Sequence, residues 1–264
     1  MTAAEYEAIA VRAARAGGEV LKRRFALREA LTIEVKSRRD YVTAVDREAE
    51  RAVVEVLAEE TPGFAIVAEE GSPDARGASA RWIVDPLDGT TNFIHGVPTF
   101  AVSVGLEDAS GLAAGAVYDP LRDEMFHARR GGGAFLGDAP IAPSRLDDLE
   151  PALIATGFPF RDMSRVGRYL EAFESFVRAT SGVRRAGAAS IDLVYVACGR
   201  YDGFFEAGLS PWDMAAGALV VREAGGIVTD LSGRSDVLAS GSIVAAGPGL
   251  HPAMLAITRA TLAR

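Results

Sequence analysis

One stretch of the sequence, residues 81–92 (RWIVDPLDGTTN), constrains the rest of the chain more than any other. It opens with the apolar run 82–84, which is typical of a buried strand. Asp85 and Pro86 follow, and because proline has no N–H for a sheet ladder, we predict that the strand ends at Asp85. A second acid, Asp88, stands in a turn sequence three positions later. The sequence therefore predicts two carboxylates where a strand gives way to a loop.

Two carboxylates this close repel each other unless a cation lies between them. Mg²⁺ is often bound through one or two carboxylates together with substrate phosphate, so the pair suits that ion. Gly89 and Thr90 follow Asp88, and a helix beginning there would direct free backbone amides at an anion. An EF-hand would need alternating acids, and an aspartyl-phosphate enzyme would need two acids two positions apart. A plain turn at Asp88 and a strand-ending role for Asp85 stay open on this stretch alone.

The composition narrows the class of protein and its partners. The chain has 264 residues, enough for one large domain or two that share a core. Its formal net charge of −8 argues against broad binding to nucleic acid or to an anionic membrane. The single cysteine, Cys198, excludes an internal disulfide, and the acidic start lacks the plan of a signal peptide. No apolar run reaches the roughly 18 residues of a membrane span. We therefore expect a soluble cytoplasmic protein with no nucleic-acid or membrane partner.

The two halves of the chain differ in their pattern of elements. Residues 1–140 contain helices followed by a run of short strands, and residues 141–264 alternate strand with helix. The segment 139–150 is rich in acids and contains two prolines, as a domain boundary often does. We predict an N-terminal α+β half that carries most of the acids discussed next, and a C-terminal α/β half.

Acidic residues recur at the ends of the predicted elements. For any one of them a helix cap or a solvated turn is the commoner role, but together they would form a carboxylate cage for two or three Mg²⁺ ions. The three histidines are scattered along the sequence, so no histidine metal cluster or Ser-His-Asp arrangement is readable. The acids of the cage are Asp46, Glu69, Glu70, Asp85, Asp88 and Asp213.

Several motifs together resemble the inositol monophosphatase family, in its bacterial type. They are Glu69-Glu70, DPLDGTTNF at 85–93, WDMAAG at 212–217 and EAGG at 223–226, with further similarity at 40–46, 115–120 and 199–203. The resemblance therefore covers nearly the whole chain, in order. It implies an α/β fold in αβαβα layers, a phosphate-monoester hydrolase, a homodimer and inhibition by lithium.

The resemblance also implies a metal site. Glu69, Asp85 and the carbonyl of Leu87 match one Mg²⁺ site, and Asp85, Asp88 and Asp213 match a second. Glu69 would also touch a weaker third ion.

Catalytic and substrate-binding roles follow from the same resemblance. Thr90 and Asp46 match the pair that orients and deprotonates the attacking water, next to Glu69. The amides of Gly89 and Thr90, beside Asp88, match contacts to the phosphate. The remaining substrate contacts fall on Gly187, Ala188, Ala189 and Glu206.

One position departs from the family pattern, because Ala188 stands where the family often has serine or threonine. The leading hypothesis is hydrolysis of inositol monophosphates. The departure keeps other esters open: fructose 1,6-bisphosphate, histidinol phosphate or a nucleotide 3′-phosphate. A regulatory binding protein that keeps the fold is the alternative of another class.

Two further features have no assigned role from the sequence. Arg184 and Arg185 would line a site or an interface, or form ordinary surface ion pairs. Residues 72–80 are mostly small and are predicted to form a mobile loop.

Overall fold

The architecture was taken from a computed structural model of the chain. The structure describes residues 1–27, 33–37, 40–71, 79–160 and 162–263, so most of the predicted loop 72–80 lies outside the described residues. β1 (Ile33–Ser37) and β2 (Asp40–Thr43) form a short antiparallel pair. In the described ranges, no helix combines the length and the apolar character that crossing a membrane requires.

The larger sheet has seven strands in sequence order from β3 to β9. The first pair, β3 and β4, is parallel and every later pair is antiparallel. The strands are β3 (Ala65–Ala68), β4 (Ala80–Asp88), β5 (Ala101–Asp108), β6 (Gly111–Asp119), β7 (Glu124–Arg129), β8 (Ala134–Leu136) and β9 (Ala139–Pro140).

The smaller sheet has five strands in the order β11-β10-β12-β14-β13. β10 is parallel to both neighbours, whereas β14 is antiparallel to both of its own. The strands are β10 (Leu153–Thr156), β11 (Gly182–Arg184), β12 (Gly203–Ala207), β13 (Ile227–Thr229) and β14 (Ser242–Ala246).

The helices lie on the outer faces of the two sheets and between them. The helices of the first half are α1 (Ala3–Phe25), α2 (Ala44–Glu60) and the short α3 (Thr90–His95). Those of the second half are α4 (Val166–Ala179), α5 (Ala189–Ala197), α6 (Pro211–Glu223), α7 (Val237–Ser240) and α8 (His251–Thr261).

Alternation along the strands divides the interior into three apolar layers. Trp82 packs with α1 and α2 on one face of the larger sheet, whereas its neighbour Ile83 faces α5 and α6. Phe204 also faces α5 and α6, and Phe205 faces α4 and α8 beyond the smaller sheet. Because successive side chains of a strand point to opposite faces, each sheet is covered on both sides. The predicted αβαβα layering is confirmed. The division of the chain at residue 140 stays a prediction.

The strand β4 corrects the expectation that Pro86 would end it at Asp85. β4 continues to Asp88, and the pairing register shifts between the two acids: Asp85 pairs with Ser103 and Asp88 with Ala101. β4 thus has one residue more than β5 over this stretch, which is a β-bulge, and a bulge tolerates proline because it interrupts the ladder. Residues three apart normally point to opposite faces of a strand, so the extra residue returns Asp88 to the side of Asp85.

Glycines let helix α6 approach the larger sheet closely. A Cβ atom on Gly105 would lie 3.0 Å from Ala215 Cβ, and one on Gly115 would lie 3.1 Å from Ala216 Cα. These contacts are tighter than ordinary van der Waals packing. They bring the first turn of α6, which carries Asp213, against the face of β4 and β5.

Gly115→Val is expected to destabilise the protein by about 1–3 kcal/mol, because the added side chain would push α6 away from the sheet. At roughly 2–4 °C per kcal/mol, the Tm should fall by several degrees in thermal unfolding followed by circular dichroism. Gly167→Ala in α4 is the matched control, because a Cβ there meets no atom within 4 Å. A Tm for Gly115→Val equal to that of the wild type would contradict the close packing.

Candidate active site

A cavity of about 760 Å³ opens at the end of β4. It is lined by segments that follow strands of both sheets. Its wall combines residues from both halves of the chain, and most of its charged side chains are acidic. The acids of the described lining are Glu69, Asp85, Asp88, Asp162, Glu206 and Asp213.

Three of these acids converge. Asp85, Asp88 and Asp213 each offer a carboxylate oxygen, and the three oxygens lie within 4.8 Å of one another. Asp85 and Asp88 are buried, and Asp213 is half-buried. Burial raises the pKa of Asp85 well above its ordinary value, and the charges of Glu69, Asp88 and Asp213 raise it further. Left without a cation, this cluster therefore resists full ionisation.

Each carboxylate of the cluster is oriented by a backbone N–H. The N–H of Leu87 donates to Asp85 Oδ1 at 2.9 Å, and that of Ser210 donates to Asp213 Oδ2 at 2.7 Å. The second contact lies in the first turn of α6, so Asp213 has the helix-capping role as well as a place in the cavity.

Asp88 receives the most donors. Ser190 donates to Asp88 Oδ2 from its N–H at 2.7 Å and from its hydroxyl at 2.6 Å. Burial raises the pKa of Asp88, and the bonds from Ser190 oppose that rise. Ser190 is fully buried in the first turn of α5, so a residue of the second half holds a carboxylate of the first. Sequence reasoning missed Ser190, although it stands two residues after Ala188, where the missing hydroxyl had been noted.

This donor set suits a hard divalent cation. Its atoms are carboxylate oxygens that the backbone already orients, and hard cations such as Mg²⁺ prefer oxygen ligands held in this way. No cysteine or histidine belongs to the cluster in the described part of the chain. The side chain of Glu69 and residue Leu87 line the same cavity, as the predicted ligand set requires.

Thr90 and Asp46 are also brought together. Thr90 Oγ1 lies 3.2 Å from Asp46 Oδ1 and 3.1 Å from the carbonyl oxygen of Leu87. Thr90 begins α3, and Gly89 before it has a φ of 98°. A side chain at Gly89 would also approach the carbonyl oxygen of Thr99, at 2.9 Å from its Cβ. Glycine is therefore required for the turn that presents Thr90 to Asp46.

The predicted substrate contacts are divided between the wall and the interior. Gly187, Ala189 and Glu206 line the cavity. Ala188 is buried and packs in the apolar layer around α5 and α6, so its methyl group lies behind the wall. The roles of these residues in binding stay predictions.

Two buried polar atoms near the site have no hydrogen-bond partner within the described ranges: Asp192 Oδ1 and Trp212 Nε1. Burial raises the pKa of Asp192 well above its ordinary value of 3.8, and the charges of Glu206 and Asp88 add to the rise. A carboxyl group in such a place is favoured in its protonated form. Sequence reasoning did not single out Asp192, because an acid in the first turn of a helix is ordinarily solvated.

Asp192→Asn is expected to stabilise the protein, by roughly 1–3 kcal/mol at high pH, because the amide avoids burying a charge. A raised pKa in the folded state gives stability that is present below pH 3.8 and is lost as the pH rises towards that pKa. The gain in Tm over the wild type should therefore grow from pH 5 to pH 9. Thermal unfolding across this range checks it, with the exposed Asp138→Asn as control. A gain that shrinks with rising pH would show that the carboxylate is stabilised when charged.

Comparison with known proteins identifies the family. The sequence profile of the inositol monophosphatase family matches residues 2–263. The chain belongs to the inositol monophosphatase family.

Relatives and a solved structure agree with this membership. The chain is similar to "Nus factor SuhB" of Pseudomonas aeruginosa, with 49% identity over 252 residues, 94% of this chain and 93% of the relative. It is 43% identical to "Inositol-1-monophosphatase" of Mesorhizobium japonicum over 248 residues, 94% of this chain and 93% of that protein. The crystal structure of extragenic suppressor protein suhB from Bartonella henselae superposes with a TM-score of 0.91 at 41% identity, over 95% of this chain and 97% of that chain. The layered family fold and the acidic cluster are therefore both present in this member of the inositol monophosphatase family.

Proposed function

We propose that this protein is a Mg²⁺-dependent phosphatase that hydrolyses myo-inositol monophosphate to inositol and phosphate. One observation carries the proposal: the cluster of Asp85, Asp88 and Asp213 lies in the same cavity as Thr90, whose hydroxyl meets Asp46. The relative named inositol-1-monophosphatase supports the choice of substrate.

The proposed ligands for two to three Mg²⁺ ions are carboxylates and one carbonyl. When bound, Mg²⁺ would acidify a water and offset the negative charge of the phosphate. The protein's part is to hold its oxygens in place, which the N–H donors of Leu87, Ser190 and Ser210 do. The ligands are Glu69, Asp85, the carbonyl of Leu87, Asp88 and Asp213.

Thr90 and Asp46 would act on the attacking water. The Thr90 hydroxyl would take up the proton of that water while its own proton moves to Asp46 Oδ1, which lies 3.2 Å away. The amides of Gly89 and Thr90 would donate to the phosphate. Glu206 would accept hydrogen bonds from polyol hydroxyls, with Gly187, Ala188 and Ala189 shaping that side. A cytoplasmic homodimer inhibited by lithium completes the proposal.

The test is phosphate release from myo-inositol 1-phosphate and fructose 1,6-bisphosphate, side by side, with and without Mg²⁺. Hydrolysis that requires Mg²⁺ is expected, with faster turnover of the inositol ester than of the bisphosphate. Faster hydrolysis of the bisphosphate would keep the mechanism and change the substrate. Equal rates with Mg²⁺ and with a chelator would refute the metal-dependent mechanism.

A regulatory binding role is the second candidate, favoured by the relative named Nus factor SuhB. The net charge of −8 favours a protein partner over nucleic acid. An affinity pull-down with Asp213→Asn separates the roles, because a binding role would survive loss of a cluster carboxylate. A variant that loses both hydrolysis and partner binding would tie the partner to the cavity.

A further inference from the structure

Arg185 is the single arginine or lysine among the described residues that line the cavity. The other charged groups of the described lining are carboxylates, apart from His95. The neighbouring Arg184 belongs to the end of β11 and does not line the cavity. The sequence could not distinguish these two arginines, and the structure separates them.

The Arg185 guanidinium has two neighbours at the cavity wall, Phe160 and Gly187. Its Cζ atom lies 5.1 Å from the centroid of the Phe160 ring, a stacking arrangement typical of arginine on an aromatic face. Gly187, with a φ of 90°, also lies against the guanidinium, because a Cβ built there would meet Arg185 Nη1. A side chain at Gly187 would therefore require the guanidinium to shift.

The turn that carries Arg185 is itself held to the catalytic side of the cavity. Asn92 of α3 donates from Nδ2 to the carbonyl oxygens of Ala186 at 2.9 Å and Thr99 at 2.7 Å. Because α3 begins at Thr90, the same short helix positions the Thr90 hydroxyl and the turn at 185–187. The backbone of the turn that carries Arg185 is thus held beside the catalytic side of the cavity.

No carboxylate among the described residues forms an ion pair with Arg185. Its side chain is exposed, and within the described ranges no hydrogen bond or ion pair joins its guanidinium to another residue. Arginine offers a planar set of donors that matches phosphate oxygens two at a time. An exposed guanidinium on the wall of an acidic cavity, with no ion pair to any described residue, is suited to an anion.

We propose that Arg185 is a specificity-determining residue that binds the second phosphate group of bisphosphate esters, which the cavity takes in addition to myo-inositol monophosphate. The inference rests on the proposed function, because the acidic cluster with Thr90 takes the phosphate that is hydrolysed. Glu206 and Asp162 also line the cavity, so Arg185 is the one guanidinium of the described lining that can oppose their charge on a second phosphate. With Arg185 the cavity accepts sugar or polyol bisphosphates, and its volume of about 760 Å³ is ample for them.

The test compares two esters that share the same reacting phosphate, fructose 1-phosphate and fructose 1,6-bisphosphate. The wild-type protein with Mg²⁺ should show the higher kcat/KM for the bisphosphate. Arg185→Gln should lower kcat/KM for the bisphosphate roughly 10- to 100-fold, as expected for loss of a charge-assisted contact, and change that for the monophosphate less than about threefold. Arg185→Lys should lie between, because lysine keeps the charge but not the paired donors.

Arg184→Gln is the matched control and should leave both esters within about threefold of the wild type. Equal losses on the two esters, no loss with Arg185→Gln, or the same loss with Arg184→Gln would overturn the inference. The proposed function is tested separately with myo-inositol 1-phosphate and Mg²⁺, and no hydrolysis of that ester would refute it. If the wild-type protein hydrolyses neither fructose ester, the role of Arg185 is tested by binding. A thermal-shift titration with fructose 1,6-bisphosphate then decides on Arg185: a rise in Tm that Arg185→Gln abolishes supports the site, and a rise that survives refutes it.

Discussion

Asp85→Asn is expected to remove Mg²⁺-dependent hydrolysis and, at the same time, to raise the Tm of the metal-free protein. The loss of activity should be at least roughly 10³-fold, because metal stabilisation of the transition state contributes several kcal/mol. The gain in stability arises because the variant removes one buried charge from a cluster of three carboxylates within 4.8 Å. Its expected size is about 1–3 kcal/mol.

The pH dependence of this gain has a definite sign. The folded-state pKa of Asp85 is raised by burial and by its acidic neighbours, so the wild-type protein loses stability as the pH rises above 3.8 towards that pKa. The advantage of Asp85→Asn in a chelator should therefore be larger at pH 8 than at pH 5. With millimolar Mg²⁺ the order should reverse, because only the wild type gains stability from the bound ion. Thermal unfolding in the two conditions measures both effects.

Asp230→Asn is a control for which the opposite change in Tm is expected. Burial of this carboxyl is outweighed by hydrogen bonds from Arg234 and Ser232, which lower the pKa of Asp230 to about 2. Its charged form therefore stabilises the protein above pH 3.8, and that stability is lost as the pH falls towards 2. Asp230→Asn should lower the Tm at neutral pH and leave the Mg²⁺ response unchanged. If Asp85→Asn also lowered the metal-free Tm, repulsion within the cluster would not be the dominant effect.

Thr90→Val is expected to lower kcat by roughly 10²- to 10⁴-fold, the usual range for losing a group that handles the proton of a nucleophile. Valine has a similar shape and removes the hydroxyl that faces Asp46. The Mg²⁺-induced rise in Tm should persist, because the carboxylates of the cluster are untouched. Steady-state kinetics and thermal shift on the same preparation give the two readouts.

Thr90→Ser restores the hydroxyl and should recover most of the lost rate. Asp46→Asn should resemble Thr90→Val, since it removes the carboxylate at 3.2 Å from Thr90 Oγ1. A Thr90→Val variant that keeps wild-type kcat would show that the water needs no hydroxyl here. A variant that loses the Mg²⁺-induced rise instead would place Thr90 in ion binding.

The acidic cluster was predictable because each of its members stands at a recognisable position, at the end of a strand or the start of a helix. Asp85 and Asp88 follow an apolar run, and Asp213 lies in the first turn of a helix, after proline and tryptophan. The three carboxylates meet because of the layered fold. The family resemblance predicted that fold, and the alternation of buried side chains confirms it. The sequence could not reveal the bulge in β4, because the rule that proline ends strands competes with the tolerance of bulges for proline. Only the pairing of Asp85 with Ser103 and of Asp88 with Ala101 decides between them.

Residues that act through tertiary contacts were less visible. Ser190 lies in a helix of small residues and is indistinguishable from filler until its hydroxyl is seen 2.6 Å from Asp88. Arg184 and Arg185 have the same chemistry and adjacent positions, so their different surroundings depend on the turn that Asn92 holds. Asp192 is a similar case, since its burial depends on the packing of α5 between the sheets.

The two tryptophans give the protein a built-in optical reporter. Trp82 is fully buried and donates to Thr61 Oγ1 at 2.9 Å, in the apolar layer against α1 and α2 and away from the cavity lining. Trp212 precedes Asp213, and its carbonyl oxygen accepts a hydrogen bond from Ser103, the strand partner of Asp85. Indole emission responds to changes in nearby charge, so the fluorescence of Trp212 should follow ionisation or cation binding in the cluster, while Trp82 provides a constant background that Trp82→Phe would remove.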